Sequence, residues 1–301
     1  LKSLTPPQAP EKDLMQFWVI QTLNSLALGG LLFLLSSGFS LIFGLMRIAN
    51  LTHGAFFMLG AYIGITLMKN GVPNLWLAAL LGGLSIALIG GLFERFVLRA
   101  LAGNSQGQVL VTLGVSFIIS DLCLILWGGD PIPIPTPDGL RAPLQVAGFT
   151  FPTYRLVVIV VAIAVAAGLY ILIERTRLGA MIRAGVDDMQ MARAVGIPVS
   201  RLFTMVFCLG AALAGAGGII GGPILSAYPG LDAEMLPLAL IVVILGGVGS
   251  LAGAFVGSFI IGFVYTFGNA LYPDLSYVIL FLPMIFVIAF RPRGLFGRSG
   301  A

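Results

Sequence analysis

The sequence is short of charge. Only 9% of its 301 residues are Asp, Glu, Lys or Arg, where a soluble domain carries about a quarter, so a water-facing shell on all sides is excluded. Histidine occurs once, at His53. With no His or Cys cluster at ligand spacing, no metal site is expected, and with no G-x-S-x-G elbow neither is a hydrolase nucleophile. Lysine occurs only at Lys2, Lys12 and Lys69, none of them set in the phosphate-binding pattern G-x-x-x-x-G-K-[ST]. The chain is therefore not expected to be an enzyme: no ATPase site of its own, no catalytic residue and no cofactor. Cys123 and Cys208 both sit inside apolar runs, where a thiol behaves as a small hydrophobe, and no disulfide framework is implied.

What fills the chain instead is apolar, at 58% of residues. A transmembrane helix needs roughly 20 apolar residues to cross about 30 Å of hydrocarbon, and runs of that order begin near Trp18, Leu51, Leu75, Val109, Tyr154, Leu202, Met235 and Leu275. The expected fold is all-α: a polytopic transmembrane helical bundle, one domain over 1–301, with about 8–9 membrane segments, some broken or re-entrant. The first run is too long for a signal-peptide core of about 7–15 residues. Residues 1–16 read as a loose tail. The run 17–46 exceeds one perpendicular crossing and is interrupted at Ser36, Ser37 and Gly38, which predicts either one tilted helix or a helix with a broken half. Residues 235–245 are too few for a full span before the GGVGS at 246–250, which predicts a re-entrant or broken helix. The segment 128–153 holds Pro131, Pro133, Pro135, Pro137, Pro143 and Pro152. Proline that dense cannot continue a helix, so a stiff extended loop, or one that helps seat an external partner, is expected. The small residues of 202–220 suit close helix packing.

Charge placement says more than the net +4. The stretch 174–201 is the only long polar segment between two membrane-length runs, and it carries five of the sixteen Lys and Arg residues. If it is cytoplasmic, Arg47, Arg95, Arg99, Arg175, Arg177, Arg183, Arg193, Arg201, Arg291, Arg293 and Arg298 lie inside, and only Lys2, Lys12, Lys69, Arg141 and Arg155 outside. That asymmetry follows the positive-inside rule and places the C-terminus inside. Within the loop, Arg183, Asp187 and Met191 recur at four-residue spacing, as do Ala184, Asp188 and Ala192. The spacing predicts a short helix with charge on one side and Ala184, Ala192 and Val195 on another, stopped by Gly196, Ile197 and Pro198. Such a face suits insertion into a groove of another protein; it equally suits a helix lying at the lipid headgroups on its arginines.

Few polar residues remain within the apolar runs. Asp121 sits inside one, where an acidic side chain costs about 2.5–3.5 kcal/mol; it serves either structural hydrogen bonding or a pathway. Asn50 and His53, at a break between runs, are candidates to line a route or to cap a helix. Asp232 and Glu234 precede a short apolar segment and read as partners of a helix dipole.

Four motifs carry a resemblance. RTRLGAMIRAGVDDMQMARAVGIPVSRLFTMVFCLGAALAGAGG (175–218), NLTHGAFFMLGAY (50–62), GGVGSLAGAFVGS (246–258) and RPRGLFG (291–297) resemble, in order and over most of the chain, the permeases of branched-chain amino-acid ABC importers. The form NLTHGAFFMLGAY is similar to the shorter of the two paralogous permeases. The resemblance implies a bacterial inner-membrane importer subunit, set in the lipid bilayer and working with two cytoplasmic ABC ATPase subunits, a second, paralogous permease subunit and an extracytoplasmic substrate-binding protein, with no nucleic acid involved. It also implies that the helix around 187–196 is an ATPase-coupling helix, with Arg183, Asp187, Asp188, Ala192, Ala194 and Gly196 as its residues. Members import leucine-type amino acids, and relatives carry urea, short amides or aromatic compounds. A secondary transporter or channel is the rival class, and the scarcity of intramembrane carboxylates counts against ion coupling.

Overall fold

The structure, a computed structural model, describes residues 11–146 and 149–297. Eleven α-helices follow in order among them: α1 Glu11–Met46, α2 Thr52–Lys69, α3 Leu75–Phe93, α4 Ser105–Trp127, α5 Thr153–Arg175, α6 Arg177–Asp187, α7 Met189–Ala194, α8 Val199–Leu225, α9 Leu231–Gly246, α10 Leu251–Leu271 and α11 Ser276–Phe290. Six of the described helical segments are long and apolar enough to cross a membrane, from Met15–Met46 to Leu251–Leu271, and Val278–Phe290 is a shorter apolar helix. The chain is an all-α polytopic membrane bundle.

Local signals set many boundaries. Asn74 caps α3 by accepting from the amides of Trp76 and Leu77, Asn104 caps α4 through Gly107, and Ser250 caps α10 through Gly253. Each satisfies amides that the first turn of a helix leaves free.

Two expectations are corrected, and one of two alternatives is chosen. The helix α1 begins at Glu11, so 11–16 are helical rather than part of a loose tail; residues 1–10 lie outside the described residues. Of the two alternatives for 17–46 the single helix forms, running unbroken through Ser36, Ser37 and Gly38, where Ser37 returns its hydroxyl to the Leu34 carbonyl at 3.2 Å, a bond that a serine can make from within a helix. At 36 residues it spans about 54 Å, well beyond a bilayer core. The proline-rich 128–153 is not simply extended. Ile132 bridges Ala227, a single turn of 3₁₀ helix covers Asp138–Leu140, and β1 Leu144–Val146 pairs antiparallel with β2 Phe149–Phe151. Buried Ile134 fills the space over Gly222 at the end of α8.

Packing centres on α8, which lies against α1, α2 and α3, while α1 also packs on α10, α5 and α9. The α2–α8 contact is backbone on backbone: a Cβ on Gly218 would collide with the carbonyl oxygen of Phe57, and one on Gly60 with that of Gly215. Lipid supplies no hydrophobic drive for helices to associate, so this close approach and its dispersion contacts hold the pair together. Two of the sequence motifs also meet. Leu295 and Phe296 donate to the carbonyls of Leu245 and Gly246 at 2.9 and 3.0 Å, satisfying the open end of α9. Gly247 (φ +100) and Gly294 (φ +82) pack at the crossing, where a side chain would be both strained and obstructed.

Candidate functional site

The first region is a buried polar cluster at the start of α2. His53, fully buried, bonds through Nε2 to the Leu35 carbonyl at 2.9 Å. A carbonyl only accepts, so Nε2 carries the proton. Leu35 lies eleven residues before Met46, about 16 Å up α1 at 1.5 Å per residue. The short link 47–51 therefore climbs back beside α1 before α2 begins, and α2 opens part-way along the bundle. Asn50 accepts from the Thr52 amide at 3.2 Å, and Thr52 donates to the Thr112 carbonyl of α4 at 2.8 Å. Thus Asn50 does act locally on the turn into α2, although it is not the capping residue; Leu51 holds that position without a side-chain bond.

The start of α9 comes to the same place. A Cβ on Gly54 would stand 2.7 Å from the Asp232 carbonyl oxygen, and Ser116 of α4 donates to Asp232 Oδ2 at 3.4 Å. Asp232 and Glu234 lie inside the first turn, where the helix dipole favours them, and Gly230 is the N-cap. Glu234 accepts from Tyr228 and from Tyr265, the latter at 3.2 Å. Three buried polar atoms of this region, Asn50 Nδ2, His53 Nδ1 and Asp232 Oδ1, have no hydrogen-bond partner among the described residues. Buried polar atoms are nearly always paired, so such a concentration calls for an explanation. Asp232 was not singled out as a pathway candidate from sequence; 116 residues separate it from Ser116, and no local pattern signals that pairing.

Asp121 is not part of this cluster. It projects from the outer face of α4 among exposed Phe117, Ile118, Leu122 and Ile125, and no hydrogen bond or ion pair to it is found among the described residues.

The second region is the polar loop, which forms two helices. Thr176 caps α6 through the Gly179 amide at 3.1 Å and donates to the Leu172 carbonyl at 2.5 Å. Gly179 lies so close to the last carbonyls of α5 that a Cβ would overlap those of Leu172 and Ile173. Arg183 donates to the Ile173 carbonyl and pairs with Glu174 at 3.4 Å. Gly185 lies against Leu45 of α1 and Leu202 of α8. The loop is thus fastened to three membrane helices.

The four-residue periodicity expected across this loop breaks at Asp188, whose extended backbone (φ −149, ψ 103) ends α6 and whose side chain caps α7 through Gln190 and Met191, each at 2.9 Å. Arg183 and Asp187 consequently share one helix, while Met191 and Ala192 belong to the next. Ala192, expected on an outward small-residue face, is 2% exposed and faces its own chain. The outward surface is Gln190, Met191, Arg193, Ala194, Val195 and Gly196, with Met191 60% and Val195 69% exposed. Gly196 adopts φ +87 with open space around it.

Sequence reading also passed over a buried knot beside this loop. Glu94, 1% exposed, accepts from Thr204 at 2.6 Å and pairs with Arg99 at 3.2 Å, and Arg99 reaches the Ser200 carbonyl at 3.0 Å. It ties the end of α3 to the start of α8.

A membrane bundle of this kind, with a polar interior junction and a structured polar platform at one end, has the architecture of a transport permease. The chain belongs to the family described as branched-chain amino acid transport system / permease component, whose model matches residues 21–288. It is 28% identical to the high-affinity branched-chain amino acid transport system permease protein BraD of Pseudomonas aeruginosa, over 92% of this chain and 95% of that protein. It is 27% identical to LivH of Escherichia coli K12, a permease protein of the same description, over 94% and 96%. A more distant likeness is to the autoinducer 2 import system permease protein LsrC of Klebsiella pneumoniae, 31% identical over 53% of this chain and 50% of that protein. No solved structure matches the chain.

Proposed function

We propose that this chain is the permease subunit of an ATP-driven importer for branched-chain or related amino acids, of the shorter paralogous type, in a bacterial inner membrane. Its partners in this reading are two cytoplasmic ABC ATPase subunits, a second permease and an extracytoplasmic binding protein. The observation that carries it is the loop 174–201, a folded platform fastened to α1, α5 and α8 that presents Met191, Ala194 and Val195 outward. A tip that sets apolar side chains beside exposed Gln190 and Arg193, on a folded base, transmits movement; a mobile loop would absorb it. Arg183 and Asp187 belong to the base, Asp188 shapes the tip, and Ala192 holds the tip to its own chain. Asn50, His53 and Asp232, at the junction of α2 and α9, are the candidate pathway residues. Their unpaired atoms suit transient hydrogen bonds to a zwitterionic solute, and family membership together with near full-length likeness to BraD and LivH supports the amino-acid class.

Topology tests the reading directly. Single cysteines at Ser105 and Asp188, in a variant lacking Cys123 and Cys208, should be shielded from an impermeant thiol reagent applied outside intact cells, and one at Asp138 should react. Labelling at Asp188 from outside would overturn the orientation and the coupling role with it.

Asp121 receives a separate test. Asp121→Asn keeps the shape of the side chain and removes its charge, and we expect most transport to persist, because the residue stands only about 9 Å from the end of α4 and outside the polar cluster around His53. Loss of more than about 90% of uptake with an intact complex, equivalent to about 1.4 kcal/mol, would instead place the carboxylate on the solute's path.

A further inference from the structure

Of the membrane-length helices, α4 and α5 are covered least by the rest of the chain. Helix α4 packs chiefly on α2 and turns Gln108, Thr112, Ser116, Ile119 and Cys123 inward. Its other side presents Leu110, Gly114, Phe117, Asp121 and Ile125 in one stripe at three- and four-residue spacing. Two residues of this stripe do not suit a surface that faces lipid. The first is Asp121, since intramembrane carboxylates are costly and almost always face a protein interior, a watery cavity or a polar partner. Asp121 is exposed and makes no hydrogen bond or ion pair among the described residues. Helix α4 has 23 residues, about 34 Å, close to the hydrocarbon thickness of about 30 Å. Asp121, about 9 Å from its end, therefore lies within the apolar zone, and its short side chain lacks the reach with which Lys and Arg snorkel out.

The second is Gly114, two turns before Asp121 on the same face. Glycine inside a helix costs stability relative to alanine, and nothing lies within 4 Å of the Cβ that Gly114 lacks, so packing within this chain gives no reason for its smallness. A glycine on an outward face lets another membrane helix come to backbone contact, as Gly218 lets α2 approach α8. The two features coincide on α4. Helix α5 has the open Gly168 but no ionisable residue between Arg155 and Glu174, and the apolar lengths of α3, α10 and α11 carry no Asp, Glu, Lys or Arg.

We infer that the outward face of α4 is the contact surface for the second permease subunit, and that one of its membrane helices crosses α4 at Gly114 and donates a hydrogen bond to the Asp121 carboxylate. The partner is a different chain. A second copy of this one, meeting α4 with α4 across a two-fold axis, would set carboxylate against carboxylate and offer no donor from the same stripe. The inference rests on the second permease of the proposed function and adds where that subunit sits and what it must carry. The inward side of α4 bonds to Thr52 and to Asp232, so this helix stands between the partner and the polar junction.

The test uses the assembled complex, purified in mild detergent through a tag on this chain, with the second permease identified and quantified by mass spectrometry. Asp121→Leu and Gly114→Leu should each lower the retained second permease about ten-fold, the effect of one lost charge-assisted contact or one obstructed crossing, while the tagged chain stays monodisperse. Against lipid both changes would be neutral or favourable, so wild-type retention in both would overturn the surface. Asp121→Asn, which still accepts a hydrogen bond, and Gly168→Leu on α5 should keep the partner; equal loss in Gly168→Leu would overturn the choice of α4. A photo-cross-linking side chain at Ile118 should join the second permease. A cross-link to another copy of this chain would overturn the assignment to a different subunit, and cross-links to phospholipid alone would overturn a protein contact. A wild-type complex with no second permease would refute the proposed function and this inference with it, whereas a complex that holds one but fails these tests refutes the surface alone.

Discussion

Replacing Met191 and Val195 together by aspartate is expected to strip the ATPase subunits from the complex. Both side chains are exposed at the tip of the platform, and neither supports the fold of this chain. Apolar anchors in the centre of an interface cost about 2 kcal/mol or more each when lost, and burying an unpaired carboxylate in their place adds a desolvation penalty. Together these predict at least about a hundred-fold weaker association. The measurement is co-purification of the ATPase with a tagged permease, with monodispersity of the permease as the check on folding. Wild-type association of the double variant would leave the platform without a partner and remove the mechanical basis of the importer reading. Ala192→Trp is the less informative change, since Ala192 faces inward and a bulky residue there would displace α7 itself. Gly196→Trp would likewise act through backbone strain, because its φ of +87 disfavours a side chain whatever the space around it.

The second large effect is expected at Gly218. In Gly218→Leu the new side chain meets the Phe57 carbonyl oxygen, which is helix backbone and cannot rotate aside. Overpacking in a close-packed interior typically costs about 1–3 kcal/mol and occasionally more. An obstruction that forces α2 and α8 apart falls at the upper end, because it separates the contact surface along its length rather than at one side chain. The variant should fail to accumulate as a monodisperse species on size-exclusion chromatography. Gly168→Leu is the control: nothing lies within 4 Å of the added Cβ on α5, so the bundle should form normally. If Gly218→Leu behaved like Gly168→Leu, the backbone contact between α2 and α8 would not be what holds the bundle together.

The two variants separate the roles of two kinds of residue. Gly218 lies deep in the bundle and its replacement removes the permease, whereas Met191 and Val195 lie on the surface and their replacement removes only the partner. Intermediate behaviour, such as loss of ATPase in Gly218→Leu with an intact permease, would indicate that α8 transmits distortion to the platform through Val199 and the Glu94–Arg99–Thr204 knot at its base.

By itself the sequence determined that this is a polytopic membrane protein, where its apolar segments lie and where the polar loop falls, because each of these follows from local composition. Hydrophobic length over 18–20 residues, clustered arginine, and Asn or Ser one residue before an apolar run are legible without knowing any neighbour. The interruption at Ser36–Ser37–Gly38 left two alternatives open for the same reason: polarity is local, while the helix runs on through it, Ser37 bonding back to the Leu34 carbonyl. Periodicity placed Arg183, Asp187 and Met191 in one helix, and only the capping geometry of Asp188 shows where that helix ends and why Ala192 turns inward. The junction of His53 with Leu35, of Thr52 with Thr112 and of Asp232 with Ser116, and the meeting of the 291–297 motif with the end of α9, were decided by tertiary structure alone. Each joins groups distant in sequence, and which buried polar group finds a partner depends on how helices cross, a property that no single segment contains.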